Sequence, residues 1–327
     1  MKPARRQGGA ALLMAMLTVT LVATFAAAAM WQQWRSIEVE QAERNRVQSA
    51  WILTGAMDWA RLILREDARS GGPDHLSEPW AVPLEEARLS TFLAAEKGVA
   101  TNTGDDTLDA FLSGQIIDLQ SKLNISNLVE NGRVSDSGLR SFTRLFELLG
   151  LPPAQLARLV ENLRFAADTS ADNQSGPLAP LMPQQIEQVV WLGLAPATVT
   201  ALAPYVTVLP SRTPVNINTA RAEVIYAALD GASLADAQRL VAERERSHFR
   251  TTADARKLLS ALDEAAFSSD LISVASSFYE SRGQLRLGQT VVQERSLLQR
   301  YGLEVRSVQR QRGVIEAPAP GAGLPGR

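Results

Sequence analysis

Residues 2–31 read KPARRQGGAALLMAMLTVTLVATFAAAAMW, and this stretch decides the fold. Lys2, Arg5 and Arg6 lead to Gly8-Gly9, and 21 uncharged residues from Ala10 to Met30 follow at once. At about 1.5 Å of rise per residue, such a helix spans the roughly 30 Å apolar core of a bilayer. Its only hydroxyls, on Thr18, Thr20 and Thr24, can bond back to the helix's own carbonyls. Basic residues on the N-terminal side keep that end in the cytoplasm. Trp31 and Trp34 fall where an interfacial aromatic belt belongs, so the rest of the chain faces the other side.

In an ordinary secretory signal the small residues of the cut site follow the apolar run. Here the glycine pair precedes it, which is the layout of a prepilin-type signal. A cut after Gly9 would make Ala10 the first residue and leave the helix on the protein. Two other readings stay open: an uncut anchor, or a signal cleaved among Ala26–Ala29.

Beyond the membrane run the helical pattern continues. Trp51, Ile52, Gly55, Ala56, Trp59, Leu62 and Ile63 recur at spacings of three and four, one face of an amphipathic helix. No proline interrupts residues 4–72. One helix from Ala10 to about Arg65 is expected, ended by Gly71-Gly72-Pro73. Its outer stripe needs a partner. Trp51 and Trp59 are expected to cover the protein's own sheet. Trp34 and Ile37 lie nearer the membrane, to meet lipid headgroups or neighbouring helices.

The expected fold is α+β: a transmembrane helix continuing into a pilin-like long helix, packed on a small antiparallel sheet, with a large all-helical insertion. Residues 1–9 form a leader, 10–30 the membrane segment, and 31–136 the first part of the pilin-like domain. Residues 74–110 read as mixed loop and short helix. Gln115–Leu119, Ile272–Tyr279, Leu285–Gln293 and Leu303–Gln309 alternate as strands. Between them, 137–267 is Leu- and Ala-rich with proline breaks, which reads as the insertion. Residues 268–313 return to the pilin-like domain, and 314–327, rich in Pro, Gly and Ala, read as a disordered tail.

Within the insertion, residues 215–245 form a helix-hairpin-helix. Val215-Asn216-Ile217-Asn218-Thr219-Ala220 leads into one helix, Asp230-Gly231-Ala232 makes the turn, and Ser233 with Asp236 starts the second as a capping box. In nucleic-acid-binding versions the hairpin amides and nearby cations grip phosphates. Here 216–260 carries seven basic and six acidic side chains, so counterion release supplies little affinity. Packing against protein is the preferred reading, and no nucleic acid is expected.

Composition narrows the function classes. Net charge is −2, and the absence of cysteine excludes disulfides and Cys-based metal centres. His75 and His248 are the chain's two histidines, each read as a solvated surface residue. No nucleophile–base set, phosphate loop or metal-spaced carboxylate pair stands out, so the expected protein is not an enzyme.

The chain resembles the minor pseudopilin K family of the type II (general) secretion pathway. The resemblance rests on GGAALL at 8–13, IIDLQ…LNISNL at 116–128, LAPYVTVLP at 202–210 and VNINTA at 215–220. It implies a subunit at the tip of a periplasmic pseudopilus that supports export of folded proteins across the outer membrane. The implied partners are the minor pseudopilins I and J, prepilin peptidase and the inner-membrane assembly platform. The implied location is the inner membrane, single pass, with the globular part in the periplasm. The resemblance also implies a cut between Gly9 and Ala10. Major pilin-type subunits carry a glutamate at the fifth mature position, where a neighbour's amino terminus is thought to neutralise it. Here that position is Met14, which suits a subunit with no neighbour ahead of it. The family's acidic calcium-binding segment is shortened here to 166–180. Asp168 and Asp172, with Asn173, are the candidate ligands, few for an ion that takes six to eight oxygens, so a solvated loop stays open. The alternative function is a membrane-anchored DNA-uptake component that binds DNA through the hairpin.

Overall fold

The computed structural model describes residues 8–89, 110–168, 179–288 and 290–316. Helix α1 runs without a break from Gly8 to Ser70. Through residues 9–47 every described side chain is exposed. The threonine hydroxyls return to the helix, Thr18 to Ala15 O at 2.9 Å and Thr24 to Leu21 O at 2.8 Å, so no hydroxyl needs an outside partner. The helix stops at Gly71 and Gly72, whose φ values of +66° and +113° suit residues without a Cβ. The amide of Gly71 closes the last turn on Asp67 O at 3.2 Å.

The globular unit from Gly55 onward holds one five-stranded antiparallel meander. Its strands are β1 (Leu84–Arg88), β2 (Ala110–Asp118), β3 (Phe278–Leu287), β4 (Thr290–Tyr301) and β5 (Glu304–Glu316), paired in that order. The distal part of α1 lies on one face. Ala60 and Leu64 join Trp80, Ile116, Tyr279, Leu298 and Val305 in a closed apolar cluster. Arg61 adds a hydrogen bond to Val305 O at 2.9 Å. Glu294, buried on β4, is ion-paired by Arg310 and Arg312 of β5.

The chain leaves the sheet after Asp118 and returns at Phe278. The excursion is mainly helical: α2 (Asp136–Leu148), α3 (Pro153–Ala167), α4 (Pro196–Leu202), α5 (Ala222–Ala228), α6 (Leu234–Arg246) and α7 (Thr252–Leu258). These share a second core that includes Phe142, Leu145, Phe146, Leu159, Val224, Ile225 and Leu240. Two short parallel pairs tie the excursion together, Leu123–Asn124 with Val206–Thr207 and Val215–Asn216 with Ile272–Ser273. The fold is therefore α+β, a long helix on an antiparallel sheet with a helical insertion.

Several local expectations need correction. Segment 84–88 is a strand, not loop or helix, because β2 offers it an edge to pair with although its own sequence alternates weakly. Ile272–Tyr279 is not one strand. Ile272–Ser273 pairs with the hairpin motif, β3 begins only at Phe278, and Ser276 between them turns inward. Helix α1 continues five residues past Arg65. Strand β5 extends to Glu316, so 314–316 is sheet rather than tail. Trp51 is 73 % exposed, whereas Trp59 is half-buried.

Candidate functional site

Two regions carry the residues singled out by the sequence. The first is the start of α1. Gly9 and Ala10 are exposed, and a Cβ added at Gly9 would meet no atom within 4 Å. Among the described residues, fold sterics therefore do not demand glycine there. Met14, Trp31, Trp34 and Ile37 are all exposed, and the indoles of Trp31 and Trp34 lie 5.5 Å apart. The helix is long and apolar enough to cross a membrane.

The second region is the junction between sheet and insertion, and the hairpin motif sits inside it. Asn216, Asn218 and Ala220 are buried, with 0, 2 and 0 % exposure. The amide nitrogen of Asn216 donates to Asp74 O at 3.1 Å, Asp118 Oδ2 at 3.2 Å and Ser276 Oγ at 2.9 Å. Asn218 forms a reciprocal pair with the backbone of Phe249, at 3.0 and 2.9 Å. Asp118 also accepts from Thr219 Oγ1 at 2.5 Å, Ser276 Oγ at 2.7 Å and the Gln120 amide at 2.8 Å. Complete burial pushes the Asp118 carboxyl up to about 6, while these donors pull it back.

Arg300 closes the same junction from the end of β4. It contacts Asp67 of α1 at 2.7 Å, and Asp74, to which Tyr279 Oη also donates at 2.7 Å. Burial, with the nearby Glu78 charge, pushes Asp67 up to about 6 against the pull of Arg300. Buried charges so paired and hydrogen-bonded make a junction that fixes geometry.

The hairpin turn itself is occupied by protein. Arg144 of α2 donates to Tyr226 O and Ala232 O at 2.8 and 2.5 Å and stacks on the Tyr226 ring, 4.1 Å from its centre. Arg140 pairs with Asp230 at 3.1 Å. Gly231 makes the turn with φ +77°, and Ser233–Asp236 is a full capping box. The geometry therefore uses the motif's asparagines as internal fasteners. Among the calcium candidates, Asp168 is exposed at the end of α3 and Asp172 lies outside the described residues. The expectation for the histidines fails. His75 and His248 are half-buried and stack on each other with ring centres 3.7 Å apart. Nothing in the sequence signals that pairing across 173 positions. Nothing in the sequence signals Asp74, Asp118 or Ser276 either: Asp74 falls in an expected loop, Asp118 and Ser276 in expected strands, and only the fold brings them together.

Models of type II secretion system protein K match residues 121–211 and 215–275, the two parts of the insertion just described. The chain belongs to the type II secretion system protein K family. It is 27 % identical to the type II secretion system protein K of Pseudomonas aeruginosa, over 98 % of this chain and 97 % of that protein. It is equally identical to the Klebsiella pneumoniae protein, over 94 and 97 %. A chain in the crystal structure of the GspK-GspI-GspJ complex from enterotoxigenic Escherichia coli has the same fold. That match has a TM-score of 0.65 and 20 % identity, and it covers 84 % of this chain and 98 % of that one. As a protein K family member, the chain is a minor pseudopilin of the type II secretion system. The VNINT segment at 215–219 lies in the second matched region.

Proposed function

We propose that this minor pseudopilin caps the tip of the pseudopilus and assembles there with the minor pseudopilins I and J. The observation that carries the reading is the 63-residue α1, whose apolar first half holds Met14 where a body subunit needs a glutamate. A carboxylate in the bilayer must meet a cation. A subunit lacking it does not depend on a neighbour's amino terminus, which suits the leading position. The exposed stripe through Trp34 and Ile37 then packs on partner helices. The GspK-GspI-GspJ complex of the structural relative supports those partners.

In this reading residues 1–9 are a leader that prepilin peptidase removes after Gly9. The inner-membrane platform receives the helix, and the globular part stands in the periplasm. The protein is a structural part of the export machine and catalyses nothing. Burial of Asn216 and Asn218, and the filling of the hairpin by Arg144, favour this over DNA uptake. Deleting the gene should trap the system's exported proteins behind the outer membrane. Restoring the wild-type chain, but not its Gly9→Val variant, should release them. Normal export in the deletion strain would refute the reading.

A further inference from the structure

His75 lies in the loop between α1 and Trp80, and His248 in the short link between α6 and Phe249. The first belongs to the pilin-like part and the second to the insertion. Their rings stack face to face, 3.7 Å apart and 11° from parallel. That geometry keeps their in-plane lone pairs in adjacent, nearly parallel planes, so the two rings do not converge on one metal ion.

We propose that the stacked His75–His248 pair is a proton-sensitive clasp between the pilin-like part and the insertion, closed while the rings are neutral and parted when both are charged. Three features carry this. First, His75 Nδ1 accepts a hydrogen bond from the Ser77 amide at 3.3 Å, and protonating that nitrogen would set N–H against N–H. Second, two imidazolium ions at this separation repel, whereas neutral rings attract by stacking. Third, the surroundings are unequal. Asp67 of α1 and Asp74 of the loop favour a charged His75, and the loop's Glu78 holds the His75 backbone amide at 2.8 Å. Arg250 and His75 itself oppose a charged His248. Burial lowers both rings' proton affinity below the ordinary value. The first proton therefore goes to His75 and the second is resisted.

The clasp has a short path to the hairpin. His248 precedes Phe249, whose backbone is held by Asn218 in both directions. Parting the rings pulls on that pair, so acid should loosen the seat of the hairpin before it unfolds the sheet.

The chain has only two histidines, which makes the test direct. Ring carbons of histidine-labelled full-length protein in detergent micelles should be followed by NMR from pH 8 to 4. Two steps are expected, both below the unperturbed pKa of about 6.5, with His75 taking its proton before His248. In His248→Gln the remaining His75 step should move upward. Hydrogen exchange at the Phe249 amide, corrected for its intrinsic pH dependence, should accelerate as the second step is crossed. In His248→Gln that acceleration should vanish, although Asp67 and Asp118 still titrate. His75→Gln gives the reciprocal readout should the first variant fail to fold. Two independent titrations near the unperturbed value, or equal acid loosening in both variants and wild type, would overturn the clasp.

Discussion

The side-chain amide of Asn216 donates to Asp118 Oδ2 at 3.2 Å, joining the hairpin motif to the last residue of β2 across 98 positions. One asparagine thereby holds the point where the chain leaves the sheet, through Ser276 the approach to the point where it returns, and through the Asp74 carbonyl the loop after α1.

Asp118→Ala should be among the more damaging single substitutions. It leaves Thr219 Oγ1, Ser276 Oγ, Asn216 Nδ2 and the Gln120 amide without their common acceptor. An abandoned buried donor costs about 1–3 kcal/mol, and some of these can find other partners, so a loss of about 3 kcal/mol is expected. Urea unfolding followed by tryptophan fluorescence measures it, because Trp80 is buried against Tyr279 in the neighbouring core. A loss below about 1 kcal/mol would mean the junction does not hold the fold.

Stability should also depend on Asp118 in a defined direction. Its carboxyl is raised from 3.8 to about 6 in the folded protein, so the fold binds the proton more tightly than the unfolded chain. That contribution is fully present below about pH 3.8 and is lost as pH rises through about 6. Asp67, raised to about 6, acts in the same sense. The histidines act oppositely: their lowered affinities contribute stability above about pH 6.5 that falls away in acid. Melting temperatures from pH 4 to 8 should therefore fall more steeply in acid for Asp118→Ala than for wild type, because the compensating carboxyl is gone. Parallel curves would contradict the assignment.

Much of this architecture is legible in the sequence because its signals are local. The apolar run after Gly8-Gly9 yields α1, Gly71-Gly72 yields its end, and Ser233 with Asp236 yields the start of α6. What could not be read depends on distant partners. Strand β1 has only Leu84 and Ala87 to suggest burial, and its identity comes from pairing with β2. Ser276 breaks an apparently continuous strand because Asp74 and Asp118 claim it, through a 2.6 Å amide bond and a 2.7 Å hydroxyl bond. The asparagines of the hairpin motif are visible in the sequence, but a phosphate-gripping loop and a buried fastener share the same letters. Only burial and the arginines of α2 distinguish them.

Processing should depend on Gly9. Intact mass of membrane-extracted protein should show Ala10 as the first residue, and Gly9→Val should retain all nine leader residues. Because no described residue approaches a Cβ at Gly9, the variant should melt like wild type, which isolates recognition from folding. A start within Ala26–Ala29 would replace the prepilin reading with a conventional export signal.

The exposed stripe of α1 should serve assembly rather than folding. Ile37 is 49 % and Trp51 73 % exposed, so Ile37→Glu and Trp51→Ala should each change stability by less than about 0.5 kcal/mol. Ile37→Glu should nevertheless weaken co-purification with full-length partner pseudopilins, because it sets a charge in a helix–helix seam. A drop in melting temperature with assembly intact would return Ile37 to the protein's own core.

The most direct measurement is co-expression of the full-length chain with the minor pseudopilins I and J of its own secretion system. Affinity purification on this chain would be followed by native mass determination, with duplex DNA binding tested in parallel at low and moderate salt. The account predicts a one-to-one-to-one complex and no salt-sensitive DNA binding. Failure to recover I and J, together with micromolar, salt-sensitive binding to DNA, would contradict it.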